Sequence, residues 1–455
     1  MTRDQLSAAI YIIMVPIVIL SRFWPSPLIR DISVALTVAF LTLEISRTPA
    51  FQRNIGIIIA VIGGIAAWAG GNFLGAIYQG LEKAQLFMVM FFAVMWLRDP
   101  AVTSPSLRNL RDAAIRQPPG RRYPIIWLTT HFLSSVLNFA ALSLLSVMAT
   151  EQTERKLQRR LSIAIMMGFA AAASWGPFYV SVAVILTAIP QVRWIDIAPL
   201  GLVLSAFTLA IGWGYDRIFL RTAPTGPKPQ SCLPIAAVTV GRAAFILSLL
   251  AILVLGIYQT LGLAIPVALG VIGPPFAIVW VMMQSPVGAR WPKGVRPLIG
   301  RILRIVPDLR NEAVAFCAAS VFGVGVTQLL PPTLIKEYIQ GWDLGGDTIV
   351  VLIILGMNLA SCIGLHPVIL VILVGEIMPP DVIGIPAPLL AISMLGAWGT
   401  STMISPFSAT TLFMARAVNV PSHVIAWRWC APIAAITALF VAAYVVAIRH
   451  LLFSL

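Results

Sequence analysis

Length, composition and charge exclude most classes of protein. The chain has 455 residues, of which 59% are hydrophobic and only 11% are charged, whereas about 25% of a soluble domain is charged. This composition leaves too little polar surface for a soluble protein, and its apolar content excludes disorder. We therefore predict an all-α polytopic integral membrane protein of the bacterial-type inner (plasma) membrane.

Charge and cysteines exclude further functions. The net charge is +14, but the basic residues lie between apolar runs, so they indicate membrane topology by the positive-inside rule and not nucleic-acid binding. Cys232, Cys317, Cys362 and Cys430 show no spacing typical of a metal site or a disulfide framework. We predict no metal, no cofactor and no enzymatic constellation of nucleophile and base.

The first part of the chain predicts four membrane spans and a basic cytoplasmic stretch. A span needs about 20 apolar residues, and such runs occupy 6–21, 26–45, 54–78 and 80–97. The initial segment 1–25 lacks a cleavage pattern, so it is predicted to be a span with a cytoplasmic N-terminus. The arginine-rich stretch 98–122 contains Ser104 and Pro105, which predict the start of a short helix on the membrane surface.

The next apolar run, 123–149, is flanked by basic residues on both sides. A single crossing would place one basic cluster outside, so we predict a re-entrant hairpin that enters and leaves on the cytoplasmic side. Its tip needs polar partners because lipid supplies none, and Ser134, Ser135 and Asn138 lie at its centre. His131 lies near its start.

A broken helix is predicted over 161–190, where Ser174-Trp175-Gly176-Pro177 interrupts the apolar run. A return span, 195–215, completes the first repeat, 26–221. The Pro- and Gly-rich stretch at the start of 222–242 predicts a linker between two halves.

The second half, 243–455, repeats this order. Spans are predicted at 243–262, 264–284, 311–332 and 424–448, with the C-terminus outside. A second hairpin, 348–378, is entered from the outside, and a second broken helix, 385–418, is predicted to break at Trp398-Gly399-Thr400-Ser401-Thr402. The total is about 11 transmembrane helices and two re-entrant hairpins. Glu44, Glu82 and Glu312, near span ends, are interpreted as solvated or capping groups, with a role in ion coupling as the alternative.

Three matches relate the halves at nearly constant shifts. Gly176-Pro177-Phe178 matches Ser405-Pro406-Phe407, Ser135–Asn138 matches Ser361–Gly364, and Glu82 matches Glu312. Because the hairpins enter from opposite sides, the repeats are inverted. Inverted repeats with broken helices that meet near the midplane are typical of secondary transporters.

This order of spans, hairpin, broken helix and final span resembles the ion transporter superfamily, which includes divalent anion:sodium symporters, citrate carriers and arsenite-pump membrane subunits. The resemblance covers most of 26–450. Of the superfamily's Ser-Asn-Thr tip signature the first tip keeps only Asn138, the second tip keeps none, and the turns keep Pro177 and Pro406. The resemblance implies a homodimer with sliding, elevator-like transport domains, and possible Na⁺ sites at the two tips.

The predicted substrate- and ion-binding residues share short polar or small side chains at the tips and breaks. They are Ser134, Ser135, Asn138, Ser174, Gly176, Ser181, Asn358, Ser361, His366, Thr400, Ser401, Thr402, Ser405, Ser408 and Thr410. A lining without Asp, Glu, Lys or Arg suits an anion or a polar neutral solute held by dipoles. His366 is either a proton carrier or a neutral structural residue. Trp175 and Trp398 either stack on or gate the substrate, or pack the broken helices.

The sequence therefore predicts a secondary active transporter that moves a small anionic or polar solute by alternating access, coupled to H⁺ or Na⁺. An exporter of a metalloid oxyacid or neutral solute is an alternative within transport. An ion channel is an alternative of another class, but a channel filter is ordinarily a ring or a repeated carbonyl loop.

Overall fold

The computed structural model describes residues 2–115, 117, 119–150, 154–221, 237–342 and 344–453. Throughout these ranges the regular secondary structure is helical, which confirms the all-α prediction. Residues 222–236, which include Cys232 and most of the predicted linker, lie outside the described residues.

Twenty-one α-helices follow one another along the described chain. In the first half they are α1 (Arg3–Phe23), α2 (Pro27–Glu44), α3 (Ala50–Ala69), α4 (Phe73–Thr103), α5 (Pro105–Ile115), α6 (Pro119–Leu137), α7 (Phe139–Thr150), α8 (Arg155–Ala172), α9 (Val180–Ala188) and α10 (Trp194–Tyr215). In the second half they are α11 (Ala237–Leu261), α12 (Ile265–Gln284), α13 (Arg296–Ile305), α14 (Arg310–Leu329), α15 (Pro332–Gly341), α16 (Gly346–Cys362), α17 (Pro367–Ile377), α18 (Pro380–Ile383), α19 (Ala387–Ile404), α20 (Ala409–Val418) and α21 (Ala431–Leu452).

Nine helices in the described part of the chain are long and apolar enough to cross a membrane. This confirms that the chain is an integral membrane protein. Helix α2 is not among the nine because it carries Arg30, Asp31 and Glu44, and α8 is not because its first two turns carry four cationic side chains. The total number of spans and the re-entrant course of the hairpins stay predictions.

The described chain forms two compact units. The first unit consists of Met1–Pro100, Leu250–Trp342 and Val368–Val382. Its helices α3 and α14 pack closely because glycines face the partner: a Cβ at Gly56 would lie 2.9 Å from Val314 Cγ1. Glu44 is completely buried in this unit, and its carboxylate pairs with Arg47 at 3.1 Å and Arg310 at 3.3 Å. The interpretation of Glu44 as solvated is therefore wrong, because its carboxylate is buried and is neutralised by Arg47, three residues along the chain, and by Arg310 of α14.

The second unit consists of Ala101–Leu249, Asp343–Pro367 and Ile383–Leu455. Its core is made by α8 and α19, which pack against each other. Helix α8 also packs against α6 and α10, and α19 also packs against α10, α16 and α21. The short helix α5 packs on α6 and α7 and buries Leu107 and Ala114.

The second broken helix differs from the sequence prediction. Helix α19 runs through 398–402 without interruption and ends at Ile404, and α20 begins at Ala409. The predicted break at Trp398–Thr402 is therefore wrong by several residues. Gly399 is tolerated inside α19 because it lies against another helix, whereas Pro406 lacks the N–H that would continue the helix.

Candidate functional site

The second unit contains every predicted site residue. Ser134 to Ser181, Asn358 to His366 and Trp398 to Thr410 all fall within its segments. The structure therefore gathers into one compact unit residues that are up to 276 positions apart in the sequence, because it packs α6, α8, α16 and α19 together.

At the first tip, Asn138 separates α6 from α7 and adopts a left-handed backbone with φ of 52°. Asparagine is one of the few residues besides glycine that adopt this conformation readily. Its side-chain Nδ2 reaches the carbonyl oxygen of Phe178 at 3.5 Å, so the tip contacts the first break. A Cβ at Gly176 would lie 3.0 Å from Ser135 Cα, which shows how closely tip and break approach.

The first break lies between the end of α8 at Ala172 and the start of α9 at Val180. The hydroxyl of Ser181 donates back to the carbonyl oxygen of Ala173 at 2.8 Å and closes the break. Tyr179 is the N-cap of α9, and no side chain caps this helix. The N–H groups of the first turn of α9 therefore lie at the break without a partner from within their own helix.

A cluster of four aromatic residues packs beside the first break. Trp175 Nε1 donates to His131 Nε2 at 3.1 Å, and the imidazole stacks on Trp127 with ring centroids 5.1 Å apart. Trp194 Nε1 in turn donates to the carbonyl oxygen of Trp175 at 2.8 Å. These bonds hold Trp175 in one orientation between α6 and α10, which favours the packing interpretation over substrate stacking.

The second break has its own side-chain cap. Ser408 Oγ accepts from the N–H of Thr411 at 3.1 Å and donates to the carbonyl oxygen of Thr402 at 2.6 Å. Thr411 Oγ1 also donates to Thr402 O at 3.2 Å. One N–H of the first turn of α20 is thus capped by a side chain, in contrast to the first turn of α9.

The second tip lies between α16 and α17. Gly364 has φ of 103°, which only glycine adopts without strain, and its N–H donates to Ser361 O at 3.1 Å. His366 lies edge-on to Trp398 of α19 with ring centroids 5.7 Å apart. Trp398 is buried, with 3% of its surface exposed. Through this ring contact the second tip, like the first, lies against the broken helix of its own half of the chain.

The two broken helices meet where Gly399 of α19 approaches the end of α8. A Cβ at Gly399 would lie 2.6 Å from the carbonyl oxygen of Ala170. Ser174 and Thr400 line a cavity of about 10 Å³ at this crossing, which is room for about one water molecule. The crossing is therefore almost completely filled.

Five predicted site residues have a buried polar atom without a hydrogen-bond partner among the described residues. These atoms are Ser134 Oγ, Asn138 Oδ1, Asn358 Oδ1, Ser361 Oγ and Ser401 Oγ. An unsatisfied buried polar atom costs about 1–3 kcal/mol, so each of the five is a place where a ligand, an ion or a water could complete the hydrogen bonding. Thirteen further buried polar atoms, spread over both units of the described chain, also have no partner. By contrast, the hydroxyls of Ser135, Ser181, Thr400, Thr402 and Ser408 donate to backbone carbonyls.

The remaining predicted residues play other parts. Ser405 Oγ accepts from the N–H of Phe407 at 3.4 Å, and Thr410 is buried in α20. Sequence reasoning missed Thr411, which closes the second break. The Ser-x-x-Thr spacing of Ser408 and Thr411, directly after Pro406, is a helix-start signal that could have revealed it.

No protein-family model and no curated protein matches this chain. Several solved structures share its fold, among them two transporters. The YdaH transporter of Alcanivorax borkumensis, described as having an unusual topology, is similar with a TM-score of 0.53 and 14% identity, over 79% of this chain and 85% of that one. MtrF of Neisseria gonorrhoeae, described as illuminating a class of antimetabolite efflux pumps, is similar with a TM-score of 0.57 and 13% identity, over 88% of this chain and 95% of that one. The chain therefore has the fold of membrane transporters, while membership of the ion transporter superfamily is not shown.

Proposed function

We propose that the protein is a secondary active transporter that moves a small anionic or polar solute across the inner membrane by alternating access. The observation that carries this proposal is the set of five unpartnered polar atoms at the tips and broken helices of one unit. Their neutrality suits a solute bound by dipoles and amide or hydroxyl groups. The likeness in fold to two transporters supports the same class.

In the proposed mechanism, the first break supplies the site for the negative group of the solute. The uncapped first turn of α9 presents N–H donors and the positive end of the helix dipole. Ser134 Oγ and Asn138 Oδ1 supply neighbouring polar atoms. The corresponding turn of α20 is occupied by Ser408, so the first break is the stronger anion site of the two.

We further propose that the tips are re-entrant, that the halves are inverted and that the unit containing both breaks moves in an elevator-like manner within a homodimer. Coupling to H⁺ or Na⁺ belongs to the same proposal, with His366 as the proton-carrying candidate. An H366Q variant that loses pH-dependent uptake in liposomes, while its sodium dependence is unchanged, would support proton coupling. Full pH dependence in that variant would exclude His366.

Export is the second candidate, and the likeness to MtrF favours it. The exported solute would be a metalloid oxyacid, another small neutral solute or an antimetabolite. Transport of labelled arsenite, sulfate and dicarboxylates into inside-out and right-side-out vesicles distinguishes export from import. Discrete single-channel currents from the purified protein in planar bilayers would instead identify a channel.

The test of the site uses N138G, which is compatible with the left-handed backbone and removes the side chain with its amide. We expect at least a tenfold loss of solute uptake with little change in thermal stability, because a group that orients the solute is lost. N109A on the exposed face of α5 is the matched control and should retain uptake. Equal uptake by N138G and the control would exclude the first tip from the binding site.

A further inference from the structure

A second cavity lies in the same unit, away from the tips and breaks. It has a volume of about 390 Å³, and its polar lining comes from Arg155, Lys156 and Arg159 of α8 and from Asn419 after α20. Trp429 and an apolar stretch within 420–424 form the rest of the wall. We call it the basic cavity. Its volume falls in the range of ordinary small-molecule sites.

The charge of the basic cavity is strongly positive. Among the described residues, none of its three cationic side chains is in a salt bridge; Arg155 Nη1 instead donates to Gln158 Oε1 at 2.8 Å. Arg159 donates to the carbonyl oxygen of Arg428 at 3.4 Å, and its Nε is buried without a partner. Glu154, the one described acidic residue directly beside them, is exposed. The positive charges are thus left for an external anion.

The backbone adds to this positive field. Helix α8 begins at Arg155, and its N-cap residue Glu154 makes no side-chain cap. The first helical hydrogen bond at this end runs from Gln158 N to Glu154 O at 2.9 Å, so the N–H groups of 155–157 have no partner from their own helix. These donors and the helix dipole favour an anion at the same end where the three cations lie.

The position along α8 indicates the source of the anion. The cationic first turns pass directly into the buried apolar residues from Leu161 onward, so the basic cavity lies at the polar end of a helix that the proposed function places within the membrane. Trp427, which is 50% exposed, and Trp429 lie on the adjoining π-helical turn Val424–Cys430. Indole rings concentrate at the headgroup level of a bilayer. Arginine forks match phosphate geometry.

We propose that the basic cavity binds the phosphate of an anionic phospholipid headgroup. The site also has a structural consequence. Gln158 Nε2 and Arg155 Nη1 donate to the carbonyl oxygen of Val418 at 3.3 Å and 3.5 Å, which joins the start of α8 to the end of α20. A headgroup bound to Arg155 and Arg159 would strengthen this junction between the start of α8 and the end of α20. We therefore expect the negative charge of the lipid to raise the stability of the unit.

The experiment measures the thermal stability of the purified full-length protein in detergent, with native mass spectrometry to count retained lipid. The added probes are short-chain phosphatidylglycerol, short-chain phosphatidylcholine and inorganic phosphate. We expect phosphatidylglycerol to raise the melting temperature and to be retained, because a ligand that binds only the native state stabilises it. Phosphatidylcholine and inorganic phosphate should give much smaller shifts.

The decisive variant is R155Q/K156Q, which we expect to bind phosphatidylglycerol on the order of tenfold more weakly. R155K/K156R keeps both charges and should bind as the wild type does. K293Q/R296Q, which removes two exposed cations near the start of α13, is the matched control and should retain the full shift. These lipid measurements are independent of transport.

Three results would overturn the proposal. Equal shifts in melting temperature with phosphatidylglycerol and phosphatidylcholine would show that the site does not select for the negative charge of the headgroup. An equal shift with inorganic phosphate would show that the ligand is a free anion. An undiminished shift in R155Q/K156Q, measured against the melting temperature of that variant, would place lipid binding elsewhere.

Discussion

The two broken helices share a plan but hold their ends differently. In each, a serine hydroxyl reaches back across the break: Ser181 to Ala173 O and Ser408 to Thr402 O. Only Ser408 also caps the following half-helix, whereas the first turn of α9 has no cap. The difference shows that the helix after the first break begins without a side-chain cap, whereas the helix after the second break is capped by the protein's own serine.

The helices that precede the breaks also differ. Helix α8 carries four cationic side chains in its first two turns, and one of them, Arg160, pairs with buried Asp216 of the segment after α10. Helix α19 carries no charged residue, and most of its residues are buried. Both helices are packed along most of their length, but only the first broken helix is also anchored by charge at one end.

The largest effect is expected for the charged anchor. In the native protein, Arg160 Nη2 donates to Asp216 Oδ2 at 2.7 Å, and the arginine side chain is only 14% exposed. D216N leaves this largely buried arginine beside a neutral amide. Breaking such a buried pair costs about 3–5 kcal/mol. Thermal unfolding in detergent should show a large loss of stability. The matched control is D347N, because Asp347 pairs with Arg449 and His450 at a much more exposed position, where the loss should be under about 1 kcal/mol. Equal losses in both variants would contradict the difference in anchoring.

The next effect tests packing at the second helix. G399V would place a branched side chain against Ala170 O, where even a Cβ would be 2.6 Å away. We expect a loss of about 3 kcal/mol in the free energy of unfolding, at the upper end for overpacking. G214A in α10 of the same unit is the control, since a Cβ there meets no atom within 4 Å. If G399V unfolds with the same free energy as the wild type, α8 and α19 can move apart at this contact without loss of stability.

The smallest effect concerns the caps. S408A removes both the cap of α20 and the bond to Thr402 O, and we expect a loss of about 1–2 kcal/mol. S181A removes one bond and should cost about 1 kcal/mol. Urea unfolding of the two variants side by side measures the difference. A greater loss in S181A would mean that the first break, not the second, depends more on its serine.

Sequence alone predicts the helical membrane class well but the site only in outline. Hydropathy and loop charge are local properties, so they suffice for an integral membrane protein. Proline is a strong local signal, and Pro177 and Pro406 both lie between consecutive helices in the structure. Glycine is weaker: Gly399 suggested a break, but the structure uses it for close packing with Ala170.

The partners of the site residues could not be predicted in this way. Which polar side chains find a partner depends on contacts such as that between the Asn138 amide and Phe178 O, which form only after separate segments pack. The same limit applies to Glu44. Its burial depends on Arg310, which lies 266 residues away, and no local pattern predicts that pair.

The nearly filled space beside Ser174 and Thr400 has a consequence for leakage. Proton conduction through water in a protein needs a continuous row of hydrogen-bonded water molecules. The cavity beside Ser174 and Thr400 has a volume of about 10 Å³, which is room for about one water molecule. In this conformation the contact of α8 with α19 therefore leaves no room for a continuous row of waters. Under the mechanism proposed above, the two helices would have to separate before a solute or a row of waters could pass this point.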